Sequence, residues 1–236
     1  MRLTRLGHAC VRLEGGQGDV VVIDPGNFTD VGAAFEGADA ALVTHSHRDH
    51  LDVEAVVAGL AARPGLVVYC DAVSGEMLRD AGVDAGQVSV VQPGDTFAVG
   101  AFAVKVGGGT HEIVHKLIPA IVNVTFLIDD GSGSVYHPGD SFDAMPQERR
   151  PSSDGDGHRQ PSVLLVPVSG PWLKLAESID FVRNNPSDIV IPIHDALNSD
   201  AGQHMVDARL ADFNFVGPGR RHVRPPVGES VDLLAA

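Results

Sequence analysis

The segment VTHSHRDHLD, residues 43–52, places His45, His47, Asp49 and His50 within six positions. Imidazole and carboxylate together suit zinc, manganese or iron. In an extended or looped segment, His45 and His47 stand two residues apart and point to the same side. Asp49 and His50 follow at a turn and can face a second point in space. The plain alternative is a polar loop that caps the next helix, and Asp52 is a good N-cap for it. Four such side chains this close would repel one another or stay unpaired if buried without a cation, which favours metal. An H-x-H alone carries little weight; T-H-x-H-x-D-H carries much more.

Other groups of the same chemistry follow apolar runs, as His45 follows DAALV. Asp140 ends SVYHPGD and His194 ends DIVIPIHD. All three would therefore gather at one edge of the sheets. In GGTHEIVH, His111 directly follows a strand and the glycines that let it turn inward. It is favoured over His115, which is left as a pocket-wall residue, a hydrogen-bond partner of a ligand, or a surface histidine. Asp24 in VIDPG either accepts a hydrogen bond that orients the histidine loop or is a turn aspartate before proline. His137 has a supporting role at most, and Trp172 reads as core rather than pocket wall. The glycines at 107–109 lack the lysine and the following helix of a phosphate loop. Cys10 and Cys70 sit in apolar surroundings, as buried free thiols would, not as a disulfide or an activated nucleophile.

These segments resemble those of the metallo-β-lactamase superfamily of dinuclear metallohydrolases. THSHRDH matches its H-x-H-x-D-H signature at every defined position. VVIDPG (21–26), GGTHEIVH (108–115), YHPGDS (136–141) and IPIHDA (191–196) are similar to its other site segments and stand in the family's order. The LGHA opening looks most like the ascorbate-6-phosphate-lactonase-like branch. The resemblance implies an α/β fold, a four-layer αββα sandwich of two mixed sheets packed face to face with outer helices. It implies that His45, His47 and His111 hold one metal, that Asp49, His50 and His194 hold a second, and that Asp140 bridges them. It places His8 facing the pocket, although a satisfied core histidine is as good a reading. The implied cofactors are two divalent ions, zinc first, with manganese or iron as alternatives. The implied chemistry is hydrolysis of a small ester, lactone, amide or phosphodiester by a hydroxide shared between the ions, with Asp49 and Asp140 as the catalytic carboxylates. The alternatives are a nuclease of the same superfamily, a di-iron redox protein, or a binding protein whose metals serve the fold.

The chain around these residues must supply strands that end at one edge. It has 236 residues, of which 44% are hydrophobic, enough for a sizeable core. A formal net charge of −14 argues against a broad nucleic-acid or anionic-membrane surface. No run of 18 apolar residues is present, so no membrane span is expected. The start lacks the apolar stretch of a signal peptide, which makes the cytoplasm the expected location. A small-molecule substrate is expected, and a homo-oligomer is left open. RLTRLGHACVRLEG and GDVVVIDPG read as paired strands around a turn at EGGQG. DVEAVVAGLAARPG, AVSGEMLRDAG, WLKLAESIDFVRNN and SDAGQHMVDARLADFN read as helices, and 120–141 as a hairpin. Strands and helices alternate in both halves, which predicts sheet on sheet with helices outside. One domain over residues 1–236 is expected. Within it, 147–160 forms a polar loop that holds no large apolar residue.

Overall fold

A computed structural model describes residues 1–146 and 162–233. The chain opens with β1 (Arg2–Gly7), β2 (Cys10–Glu14) and β3 (Val20–Ile23), then a short helix α1 (Val31–Ala34). β4 (Ala40–Val43), α2 (Val53–Ala61), β5 (Val67–Cys70), α3 (Ala72–Asp80) and β6 (Val88–Val90) follow. Next come β7 (Thr96–Val99), β8 (Phe102–Gly108), β9 (Val124–Asp129) and β10 (Ser134–His137). β11 (Ser162–Pro167), α4 (Leu175–Asn184), β12 (Ile189–Ile193), α5 (Asp200–Leu210), α6 (Phe213–Val216), β13 (Arg221–His222) and β14 (Ser230–Asp232) complete it.

Two mixed seven-stranded sheets result, ordered β14-β1-β2-β3-β4-β5-β6 and β13-β12-β11-β10-β9-β8-β7. The first is antiparallel from β14 to β3 and parallel from β3 to β6; the second is antiparallel from β7 to β10 and parallel from β10 to β13.

The layer order follows from which side chains share a core. Successive strand residues point to opposite faces. Val21 and Ile23 of β3, with Ala40 and Leu42 of β4, pack in one cluster with Val163 and Leu165 of β11 and Ile189, Ile191 and Ile193 of β12. That cluster lies between the sheets. The intervening Val22, Ala41 and Val43 pack instead with Phe35, Val56, Leu60 and Leu78, that is, against α1, α2 and α3. Leu164 and Val166 pack with Phe181, Val182, Val206 and Leu210, against α4 and α5. Three cores between four layers make the αββα sandwich that the resemblance implied. They also explain why β3, β4, β11 and β12 read as nearly continuous apolar runs: both faces are buried.

Two local readings are corrected. RLTRLGHACVRLEG is not one strand but a hairpin, β1 and β2, registered Arg2 with Glu14 and Leu3 with Leu13 and turning at His8–Ala9. The register shifts between Arg5 and Gly7, and Gly7 (φ +122) carries a backbone conformation that a side chain resists. The final strand β14 also lies beyond what the pattern suggested and pairs with β1, so the last described residues close the sheet that the first begin. Asp52 caps α2 as expected, its side chain accepting from the Ala55 N–H. The loop expected at 147–160 lies outside the described residues. Among the described residues, no helix is long and apolar enough to cross a membrane.

Candidate metal centre

The parallel strands β3, β4, β11 and β12 all end at the same edge of the sandwich, where open α/β sheets form their clefts. β4 ends at Val43 and delivers Thr44 and His45; β12 ends at Ile193 and delivers His194. β10 ends at His137, and the turn Pro138–Gly139 brings round Asp140. His111 stands three residues past β8, its N–H donating to the Ile121 carbonyl at 3.0 Å. Residues spread over about 150 positions are thus gathered by strand ends, which a one-residue register slip would undo.

Two groups of ligand atoms form there, each within 4.8 Å: His45, His47, His111 and Asp140, and His8, Asp49, His50 and His194. Asp140 stands at their junction. Its Oδ1 lies 3.1 Å from His50 Nε2, and its Oδ2 lies 3.2 Å from His111 Nε2, 3.1 Å from His194 Nε2 and 3.8 Å from His45 Nε2. Asp49 Oδ2 lies 3.3 Å from His194 Nε2.

The outward-facing nitrogens fix which ring nitrogen faces the centre. His50 Nδ1 donates to Asp24 Oδ2 at 2.7 Å, and His111 Nδ1 donates to the Glu112 carbonyl at 2.6 Å. The Thr44 hydroxyl donates to Asp24 Oδ2 at 2.8 Å, so the 3.0 Å contact with His45 Nδ1 has the imidazole donating to that hydroxyl. Three histidines therefore turn an Nε2 lone pair inward. Buried and without a hydrogen-bond partner are His50 Nε2, His111 Nε2, both nitrogens of His194 and Asp140 Oδ1. A buried polar atom without a partner costs about 1–3 kcal/mol. A cluster of such atoms, lone pairs inward around one carboxylate, is what a divalent cation satisfies. The donor set fits the expected ions.

The electrostatics agree. Burial and then the neighbouring His50 hold His45 well below the usual histidine range, so it is a neutral ring with a lone pair to give. Burial raises the Asp140 carboxyl, but the neighbouring His50, with His111 and His194 close by, more than offsets this and holds it well below the carboxylate range. Asp49 is likewise lowered, its burial outweighed by His194 and His8. Burial opposes charging His50 and His194, yet the carboxylates pull both upward, His194 to about 9. The two carboxylates thus demand positive charge at the points where the ring nitrogens meet, whether as protons or as a cation.

The remaining candidates separate cleanly. Asp24 is fully buried and accepts from the Thr44 N–H, the Thr44 hydroxyl and His50. His115 is exposed, its Nδ1 accepting from the Leu117 N–H, and it lies in neither group. His47 is partly exposed and presents Nδ1 to His45 Nε2 at 3.1 Å. His137 is buried and donates from Nε2 to the Ala9 carbonyl at 2.9 Å. Trp172 packs edge-on against the His111 and His194 rings, both at 5.7 Å between centroids, so the tryptophan read as core also walls the centre. Cys10 and Cys70 are free and buried, and burial pushes the Cys70 thiol up to about 12. His8, Asp24 and His194 (φ +50, +51 and +56) are the described non-glycine residues with a left-handed backbone. All three touch the centre, where such strain concentrates.

Some contributors had little sequence signal. Asn123 accepts from the Asp140 N–H at 2.9 Å and donates to the Pro138 carbonyl at 2.9 Å, holding the Asp140 turn. A polar residue inside the run IVNVTF was the available hint. Asp195, next to His194, accepts from Arg5 at 2.6 Å and from Arg224. Partners 190 and 29 residues away leave no local pattern. Beside His8 a cleft of about 450 Å³ opens, lined also by Phe28, Ala196, Gln203 and Val227.

Residues 2–194 match the family model described as a beta-lactamase superfamily domain. Protein Rv0786c of Mycobacterium tuberculosis is 30% identical over 215 residues, 90% of this chain and 92% of that protein. A UPF0173 metal-dependent hydrolase of Aeropyrum pernix is 29% identical, covering 82% of this chain and 81% of its own. Among solved structures, Igni18, a metallo hydrolase from Ignicoccus hospitalis, superposes with a TM-score of 0.66 at 17% identity, over 98% of this chain and 97% of that one.

Proposed function

We propose a function from one premise: the chain belongs to the beta-lactamase superfamily. It is a metal-dependent hydrolase. Two divalent ions serve it, one held by His45, His47 and His111 and the other by Asp49, His50 and His194, with Asp140 shared. Zinc is the first choice of ion for this donor set, ahead of manganese or iron. The observation that carries the reading is the convergence of buried, unpartnered His50 Nε2, His111 Nε2 and His194 Nε2 on the two oxygens of Asp140.

Bound ions of this kind supply a water of lowered pKa and a Lewis acid for the scissile group. The chain's own residues do the rest. Asp140 faces both groups, with Oδ1 toward His50 and Oδ2 toward His111 and His194. Asp49, partly exposed at the mouth, is placed to accept a proton from an attacking water and to orient it. Trp172 and the adjoining Phe142 keep solvent from one flank of the histidines. The cleft beside His8 has the size of a small-molecule site. The formal net charge of −14 favours a small ester, lactone, amide or phosphodiester over a nucleic acid. Two free buried thiols suit a reducing compartment, the cytoplasm.

The test is Asp140→Asn, assayed after zinc loading on a panel of lactones, phosphodiesters, esters and amides. An asparagine offers one neutral oxygen in place of a shared carboxylate. Wild type should turn over at least one class, and the variant should lose that turnover by about two orders of magnitude or more, while circular dichroism stays native. Equal turnover in the two proteins would refute the shared role of Asp140, and no turnover of any class by the zinc-, manganese- or iron-loaded wild type would refute the hydrolase.

A further inference from the structure

His8 lies with the second group of candidate ligands but is wired in the opposite sense. It sits in the turn between β1 and β2, buried, with its ring 3.9 Å from the His194 ring and 4.7 Å from that of Phe28. The Ala196 N–H donates to His8 Nδ1 at 3.2 Å. A peptide N–H cannot accept, so Nδ1 must carry the lone pair and Nε2 the hydrogen. His8 Nε2 lies 3.1 Å from Asp49 Oδ2. In His45, His50 and His111 the outward nitrogen Nδ1 faces an acceptor, which leaves the lone pair on the inward Nε2. In His8 the outward nitrogen faces a donor, and the inward one points a hydrogen at a carboxylate.

We infer that His8 is a positioning residue: its Nε2–H donates to Asp49 and holds that carboxylate in place, and His8 itself ligates no metal. The inference rests on the reading of Asp49, His50 and His194 as a metal-holding group. The wiring is fixed from several sides. The His8 carbonyl accepts from the His194 N–H at 3.0 Å, and the neighbouring Ala9 carbonyl accepts from His137 Nε2 at 2.9 Å. The left-handed backbone of His8 (φ +50) persists because these contacts over-determine it. Asp49 is the one partly exposed carboxylate of the centre, with 28% of its side chain accessible, so it is the one that needs a neighbour to choose its rotamer. Asp140, by comparison, is clamped by its own backbone bond to Asn123.

The tautomer can be read directly. A two-bond proton–nitrogen correlation spectrum of the full chain, without metal and after loading with zinc alone, should show His8 as the Nε2–H form in both. His45, His50 and His111 should show the Nδ1–H form once zinc is bound. His8 as Nδ1–H in either state would overturn the inference without touching the metal reading. In parallel, zinc stoichiometry and chelator competition are measured on wild type, His8→Ala and His8→Gln. A glutamine can still donate to Asp49 but is a poor zinc ligand. Both variants should bind as many zinc ions as wild type. His8→Ala should hold the weaker ion about 10–100-fold less tightly, and His8→Gln should recover much of that loss. Loss of one ion in both variants would make His8 a ligand and overturn the inference. Wild type binding fewer than two ions would remove the metal reading itself. Should either variant fail to fold, the wild-type spectrum still decides.

Discussion

Asp24 accepts the His50 Nδ1–H at 2.7 Å, and neither residue has measurable exposure to solvent. The same carboxylate accepts the Thr44 N–H and the Thr44 hydroxyl, both at 2.8 Å, and that hydroxyl in turn accepts from His45 Nδ1. One buried acid therefore sets the ring orientation of a histidine in each of the two groups.

Asp24→Asn should weaken metal binding at both groups. Its amide can accept at one atom only, and its NH2 faces either His50 Nδ1–H or the Thr44 donors. A loss of about 10–100-fold in zinc affinity is expected, read by chelator competition. Unchanged affinity would show that the histidines orient themselves.

Gly139→Ala tests how tightly the Asp140 turn is packed. The added methyl would lie 2.4 Å from Asn123 Oδ1 and 2.7 Å from the Thr44 Cβ, at a backbone φ of +60°. Both the clash and the left-handed backbone oppose it, and the expected cost is above about 2 kcal/mol in urea unfolding. A change below about 0.5 kcal/mol, within the scatter of ordinary surface substitutions, would mean the turn relocates freely.

The parts of this centre legible in the sequence were those with dense or repeated local signal. His45, His47, Asp49 and His50 share one loop, and Asp140 and His194 stand at the ends of apolar strands buried on both faces. The sheet-on-sheet layering was legible for the same reason. The β1–β2 hairpin was not, because its turn is made by His8 and Ala9 in a bulged register and not by the glycines that usually mark one. Trp172 was read as core because a lone tryptophan in a helix-opening segment gives no hint that two histidine rings lie against it. The Arg5–Asp195–Arg224 contacts join the two ends of the described chain, which only the folded state brings together.

Asp207 should make stability depend on acid pH. Burial raises its carboxyl, but the Arg224 guanidinium more than offsets this and holds it below the usual carboxylate range. A carboxyl lowered in the folded state stabilises above its unfolded value of about 3.9, and that contribution is lost as pH falls toward the lower folded value. Asp207→Asn should therefore lower the Tm at neutral pH, and the gap to wild type should close below about pH 4. A gap that stays constant down to acid pH would assign the effect to packing instead.

Residues 147–160 contain no large apolar side chain. Replacing them with a short Gly/Ser turn should leave the Tm within a few degrees of wild type, because closure entropy changes slowly with loop length. A collapse of the melting transition would show that this segment is part of the packed domain.

The most direct measurement is elemental analysis of the gently purified chain, before and after incubation with zinc, manganese or iron and removal of the excess. The account predicts about two divalent ions per chain, falling when His50 or His111 is replaced by alanine. A value near zero, with added metal still not retained, would contradict it and leave the inward-facing lone pairs around Asp140 without a purpose.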